Sequence, residues 1–202
     1  MYQPVLGAAG VVLTGLALFA AQQTLPELAR QQGGYASSSI FLHYPILHVQ
    51  ELMSVADLVL QAKVKGQSTI LGGDQMNVYT IYELDPVRVI QARQSPASRR
   101  PGQPVIRARR PGGVLMMDGL RLETDVDVFP KDAALSTGAQ AVFFLRADPG
   151  TDEFYNVVGG PFGIFRVGEL GVSSLTKEVA TRRREKAIPL PEFMKALTSG
   201  PR

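Results

Sequence analysis

"HVQELMSVADLVLQAKV", residues His48 to Val64, changes its hydrophobic period midway with neither glycine nor proline to mark the change. Val49, Leu52, Met53 and Ala56 fall at i, i+3, i+4 and i+7, one apolar stripe of a helix. From Asp57 the period is two: Leu58, Leu60, Ala62 and Val64 share one face, while Gln61, Lys63 and Lys65 take the other. This pattern predicts a helix feeding straight into a half-buried strand that closes at Gly66. The folded domain is expected to begin near Phe41.

Further strands are predicted downstream. "NVYTIYELDPVRVI" alternates through Val78, Thr80, Tyr82 and Leu84, and Pro86 then calls for a bulge, since proline cannot donate to a central ladder. "PVIRAR" is short and lies between two Pro-Gly turn signals. "GLRLETDVDVF" places Leu120, Leu122, Thr124, Val126 and Val128 inward, with Arg121, Glu123, Asp125 and Asp127 outward. "AVFFLRA" reads as a central strand buried on both faces, and "FYNVVGG" and "GIFRV" meet at a Gly-Pro-Phe-Gly corner. "LPEFMKALTSG" predicts a C-terminal helix whose Phe193, Met194 and Leu197 form an apolar stripe. Six or seven short strands between turn clusters predict a small closed barrel or a sandwich.

Composition agrees with one domain and an appendage. The chain has 202 residues, 45% of them hydrophobic, with 14 proline and 20 glycine, which suits short strands better than long helices. It has no cysteine, which rules out disulfides, thiolate metal sites and a cysteine nucleophile. A net charge of +3 is far below that of a dedicated nucleic-acid binder.

At the N-terminus, Pro4 to Ala21 is uncharged and almost wholly apolar. As a helix it would rise roughly 27 Å, close to the hydrocarbon thickness of a bilayer. Residues 1–22 are therefore expected to be a transmembrane anchor or a signal segment. "MYQ" lacks the basic start of a removable signal, which argues for retention. Residues 23–40, rich in Gly and Ser, read as a flexible tether; residues 41–168 as the β domain; and residues 169–202 as a basic loop with the C-terminal helix.

The spacing His48, Gln50, Ala56, Asp57, Val59, Ala62 and Lys63 resembles the start of the netrin-like module and of the inhibitory domain of tissue inhibitors of metalloproteinases. In those families a similar segment leads into the first strand of an OB-type barrel. "VYTIYELDPVRVIQA" and "GAQAVFFL" resemble strands that follow in the same families, and exported bacterial proteins share the "ADLVLxAKV", "VVGGxxGIFRV" and "PLPEFMKAL" patterns. The resemblance implies a mainly β fold: a small closed, OB-like antiparallel barrel with a short N-terminal and a C-terminal helix. It does not carry over inhibition of metalloproteinases, because the cysteine that chelates the target's zinc is absent here.

Sites of chemistry are sparse. His43 and His48 lie five apart beside Pro45 and Glu51 and suit structural or capping roles better than metal binding. Ser37, Ser38 and Ser39 fall in the expected tether, and Glu123, Asp125 and Asp127 read as a solvated strand face. Two basic clusters stand out: Arg107, Arg109 and Arg110 near a hairpin, and Arg182, Arg183 and Arg184 before the last helix, as contacts for a partner or an anionic surface. The expectation is a single-pass protein of the bacterial cell membrane with its domain on the extracytoplasmic side. It would bind lipid through residues 4–21 and a protein partner in a membrane assembly, without nucleic acid, cofactor, metal or catalytic residues. The alternatives are a free envelope module binding a protein or glycan, and a hydrolase.

Overall fold

In a computed structural model the described residues are 23–40, 48–93, 105–126, 134–151, 153–175 and 186–199. The opening segment behaves as its period predicts. Helix α2 spans Val49–Val55, and strand β2 spans Leu58–Leu71. Ala56 already has extended backbone angles, φ −80° and ψ 136°. No glycine is needed at this junction because another strand serves the helix end. The Gln91 side-chain amide donates to the carbonyls of Met53 (3.1 Å) and Ala56 (2.9 Å), and the Arg93 guanidinium donates to those of Met53 and Ser54. These are carbonyls that a helix C-terminus leaves without partners. Asp57 then ties the turn down, its carboxylate accepting from Ala147 N–H at 2.9 Å. Gln91→Ala should cost about 1 to 2 kcal/mol in a urea melt, because it takes a part-buried donor from the Ala56 carbonyl, while the Met53 carbonyl keeps Arg93.

Strand β3 (Val78–Ala92) returns antiparallel to β2. Its register steps past Val87, next to Pro86, so the bulge expected from the proline is present. A further step, at Lys65, lets β2 continue through Gly66 to Leu71 instead of ending there. Strand β4 (Ile106–Pro111) pairs with β3; strand β7 (Gln140–Ala147) pairs with the other edge of β2; and the short β8 (Tyr155–Val157) runs parallel to β4 and antiparallel to β7. The order β7-β2-β3-β4-β8 thus meets itself at the β7–β8 pairing. Strands β9 (Ile164–Gly168) and β10 (Gly171–Ser174) extend the sheet outward from β7, after a 3-10 turn at Gly160–Gly163. β10 lies in the stretch expected to be loop, so the 168/169 boundary cuts a hairpin. Helix α3 (Leu190–Thr198) closes the described chain with Phe193, Met194 and Leu197 buried, as its stripe predicts.

The expected tether is folded. Helix α1 (Leu25–Gln31) buries Leu25, Pro26 and Ala29, and strand β1 (Tyr35–Ile40) pairs parallel with β6 (Leu120–Val126). Strand β5 (Gly113–Met117) completes a three-stranded sheet of order β1-β6-β5. Serine content misled because the serines are strand residues with partners. Ser38 Oγ lies 3.2 Å from Asn77 Oδ1 and 2.7 Å from Thr124 Oγ1, while neighbouring Ala36 is buried. At the start of α1 the Thr24 N–H donates to Glu27 Oε2 at 2.9 Å, and this bond holds the Glu27 carboxyl below its usual range. Since the folded-state value is the lower one, the cap supports α1 at neutral pH and is lost as pH falls through it.

Three apolar clusters hold these parts. Inside the ring of strands lie Leu58, Leu60, Tyr82, Leu84, Phe143, Leu145 and Ile164. Val59, Val142 and Phe144, on the opposite faces of β2 and β7, pack with Leu52 of α2, with Phe165 and Val172 of the β9–β10 hairpin, and with Phe193 and Leu197 of α3. A third cluster joins Leu25 and Ala29 of α1 to Ala36, Val78, Leu120 and Leu122. No helix among the described residues is long and apolar enough to cross a membrane. The Pro4–Ala21 segment lies outside the described residues, as do His43, Asp127, Val128 and Arg182 to Arg184.

Candidate functional site

The three arginines near the hairpin do not share a surface. A strand turns successive side chains to opposite faces, so Arg107 and Arg109 point outward from β4 while Ala108 and Arg110 point inward. Arg107 lies 2.7 Å from Glu153 Oε1 and 3.5 Å from Glu83 Oε1, all three half-exposed. Arg109 bonds Asp148 (2.6 Å) and Asn156 (2.9 Å), with its guanidinium 5.1 Å from the Tyr79 ring centre and 5.9 Å from that of Phe154. Arg110 is 6% exposed; its Nε donates to Tyr82 Oη at 3.0 Å, an oxygen that also accepts from Leu135 N–H at 3.3 Å. These side chains tie β3, β4 and the segment around β8 together. Arg110 cannot present its charge to a partner, a correction of the expected patch.

The other candidates are dispersed as well. His48 is exposed at the start of α2, where its backbone N–H donates to Glu51 Oε2 at 2.6 Å. Glu51 therefore caps the helix, as the structural reading of this stretch expects. Among the described residues no three His, Cys, Asp or Glu side chains gather as metal ligands. Glu123 is not on a solvated face: it is 3% exposed, 3.2 Å from Arg121. Tyr82 is fully buried, so it offers no platform for a base.

Two clefts remain. The smaller, about 340 Å³, opens where α2, the β9–β10 hairpin and α3 meet. Its floor is Phe165, Val172, Ile188 and Phe193, and His48, Gln50, Ser173 and Lys186 stand around it. The tertiary structure assembles this floor from segments far apart in the chain: Ile188 bridges to Val172 with hydrogen bonds in both directions (2.7 and 3.0 Å), and Phe165 stacks tilted on Phe193 at 5.0 Å. Gly171, with φ +117°, permits the approach of Ile188, since a Cβ there would strike the Ile188 carbonyl. Among the described residues the lining holds the His48 imidazole and the Lys186 ammonium and no carboxylate. A second cleft of about 380 Å³, lined by Lys63, Val64, Lys65, Asp85, Thr137 and Gly138, carries both signs of charge and has no aromatic wall. His48 and Gln50 belong to the sequence pattern of the opening segment; nothing in the sequence pointed to Ser173, Lys186 or Ile188 as their neighbours. No family model matches the chain, and no curated protein matches its sequence.

Proposed function

We propose that this chain is a non-catalytic binding or assembly module built on an OB-type barrel, held at a bacterial cell membrane by Pro4 to Ala21 and serving as an accessory part of a membrane complex. Support for the barrel is the order of pairings: a β2-β3-β4 meander, β7 returning beside β2, and β8 joining β4 to β7. Support for the anchor is the length and apolarity of residues 4–21.

The observation that carries binding is the cleft between α2, β10 and α3. Its floor is apolar, and the Lys186 ammonium beside it, with no carboxylate among the described lining residues, complements an acidic group. The occupant that fits is an apolar side chain of a protein partner flanked by aspartate or glutamate. A photo-crosslinking residue at Ser173 in the full chain should yield a discrete adduct in membranes. Ala196→Arg, which crowds the cleft from the exposed side of α3, should abolish that adduct while leaving the melting temperature within a few degrees. An adduct unchanged by Ala196→Arg would overturn the cleft as the docking site. The protein should stay with membranes after a high-salt and an alkaline wash, because about eighteen apolar residues outweigh peripheral contacts. Release by those washes, or a mature N-terminus near Ala21, would overturn the anchor.

A further inference from the structure

We infer that the anchored domain has a fixed membrane-facing end: the subdomain of α1 and the three-stranded sheet rests on the bilayer surface, while the cleft is held away from it at the far end of the β2–β3 hairpin. The inference rests on the anchored reading above and goes beyond it by naming the surface and its partner, a lipid surface.

The first ground is the connection. The apolar run ends at Ala21, and Thr24 is already the N-cap of a helix whose first residues are packed. Leu25 is 1% exposed, and its N–H donates to the Gln75 carbonyl at 2.9 Å, in the turn between β2 and β3. Three residues reach at most about 10 Å. An apolar segment lying in a bilayer and ending at Ala21 therefore brings the β2–β3 turn and α1 to the headgroups, with no length of free chain to let the domain roll.

The second ground is what that subdomain exposes. Pairing puts Tyr35, Arg121 and Met116 in one row across the outer face of the three-stranded sheet, and Ser37 and Val114 in the next, on either side of Glu123, whose own side chain is buried. Met116 is 67% exposed, and Tyr35 and Val114 are also open to solvent. Tyrosine beside apolar side chains and a half-exposed arginine, Arg121, which also pairs with Glu123, is a composition suited to the headgroup level of a membrane.

The third ground is the distance to the cleft. Val59, at the base of the hairpin, packs with α2 and α3, whereas Leu71 and Val78, at its tip, pack with the α1 cluster. The twelve residue steps from Val59 to Leu71 span roughly 40 Å before bulges and coiling shorten them. With the tip on the bilayer the hairpin becomes a spacer, and the cleft meets its partner above the headgroup layer.

Because the chain has no cysteine, single labels can be placed at will. The full-length protein would be reconstituted in phosphatidylcholine vesicles carrying a nitroxide on the headgroup, with a fluorophore on Met116→Cys or on Lys195→Cys of α3. Quenching several-fold stronger at 116 than at 195 is the expected result. Insertion of eight Gly/Ser residues between Gln22 and Gln23 should reduce that contrast. Co-flotation with equal or reversed quenching would overturn the inference and leave the anchored reading intact, and an undiminished contrast after the insertion would overturn the short connection as its cause. Failure of the protein to float with the vesicles would overturn the anchored reading, and this inference with it.

Discussion

Phe144→Ala should cost about 3 to 5 kcal/mol, and Leu60→Ala and Leu122→Ala about 2 to 5 kcal/mol each, in chemical denaturation of the folded domain. All three side chains are fully buried, yet they belong to three different clusters. Leu60 fills the inside of the strand ring. Phe144, on the opposite face of β7, packs 5.6 Å from the Phe165 ring under the helices, and Leu122 lies beneath α1. The cost comes from the transfer free energy of the removed atoms and from the cavities that neighbouring strands, pinned by their ladders, cannot close. Because Leu122 shares no cluster with the other two, its loss should add to theirs within about 0.5 kcal/mol in the double variants. Near-native melts for any of the three would show that its cluster is not packed as described.

Arg110→Glu should prevent stable folding or cost about 3 to 5 kcal/mol, the range for a charge buried without its partner. The new carboxylate would be buried opposite the Pro111 carbonyl, which now accepts from Arg110 Nη1 at 3.3 Å, and would withdraw the Nε donor from Tyr82 Oη. Arg110→Met keeps the bulk and removes the charge, so it should cost less, about 1 to 3 kcal/mol, for polar atoms left without a donor. Arg107→Glu, two residues away on the outer face, should cost at most about 1 kcal/mol, since its pairs with Glu83 and Glu153 are half-exposed. Equal melts for Arg110→Glu and Arg107→Glu would contradict the inward placement of Arg110. This series also separates a structural arginine from a docking one: loss of a partner in Arg110→Glu would follow from unfolding, which circular dichroism reads directly.

Several elements were legible before the fold was known because their signal is local. The change of period at Asp57, the bulge beside Pro86, the doubly buried run of β7 and the stripe of α3 each depend on side chains a few residues apart. Other features had a local signal that was outweighed. Thr24 with Glu27 three residues on is a helix start, and Asp118-Gly119, with both residues at positive φ, is the turn of the β5–β6 hairpin. Serine-rich composition argued the opposite for residues 23–40. Alternation along β4, taken seriously, already sets Arg109 and Arg110 on opposite faces.

The sequence by itself determined part of the element list, namely α2 passing into β2, then β3, β4, β6, β7, β8, β9 and α3, and that residues 4–21 are apolar enough for a bilayer; it did not determine α1, β1, β5 or β10. Only the tertiary structure decided which of these meet. That Gln91 and Arg93 finish α2, that β1 runs parallel to β6, that Tyr82 receives Arg110, and that His48 and Lys186 stand over a floor of Phe165, Val172, Ile188 and Phe193 are facts of pairing between segments far apart in the chain. Hydrophobic burial is non-directional, so a pattern of apolar residues says that a face will be covered without saying by what. The ladder register and the few directional bonds make that choice, and they exist only once the chain has closed on itself.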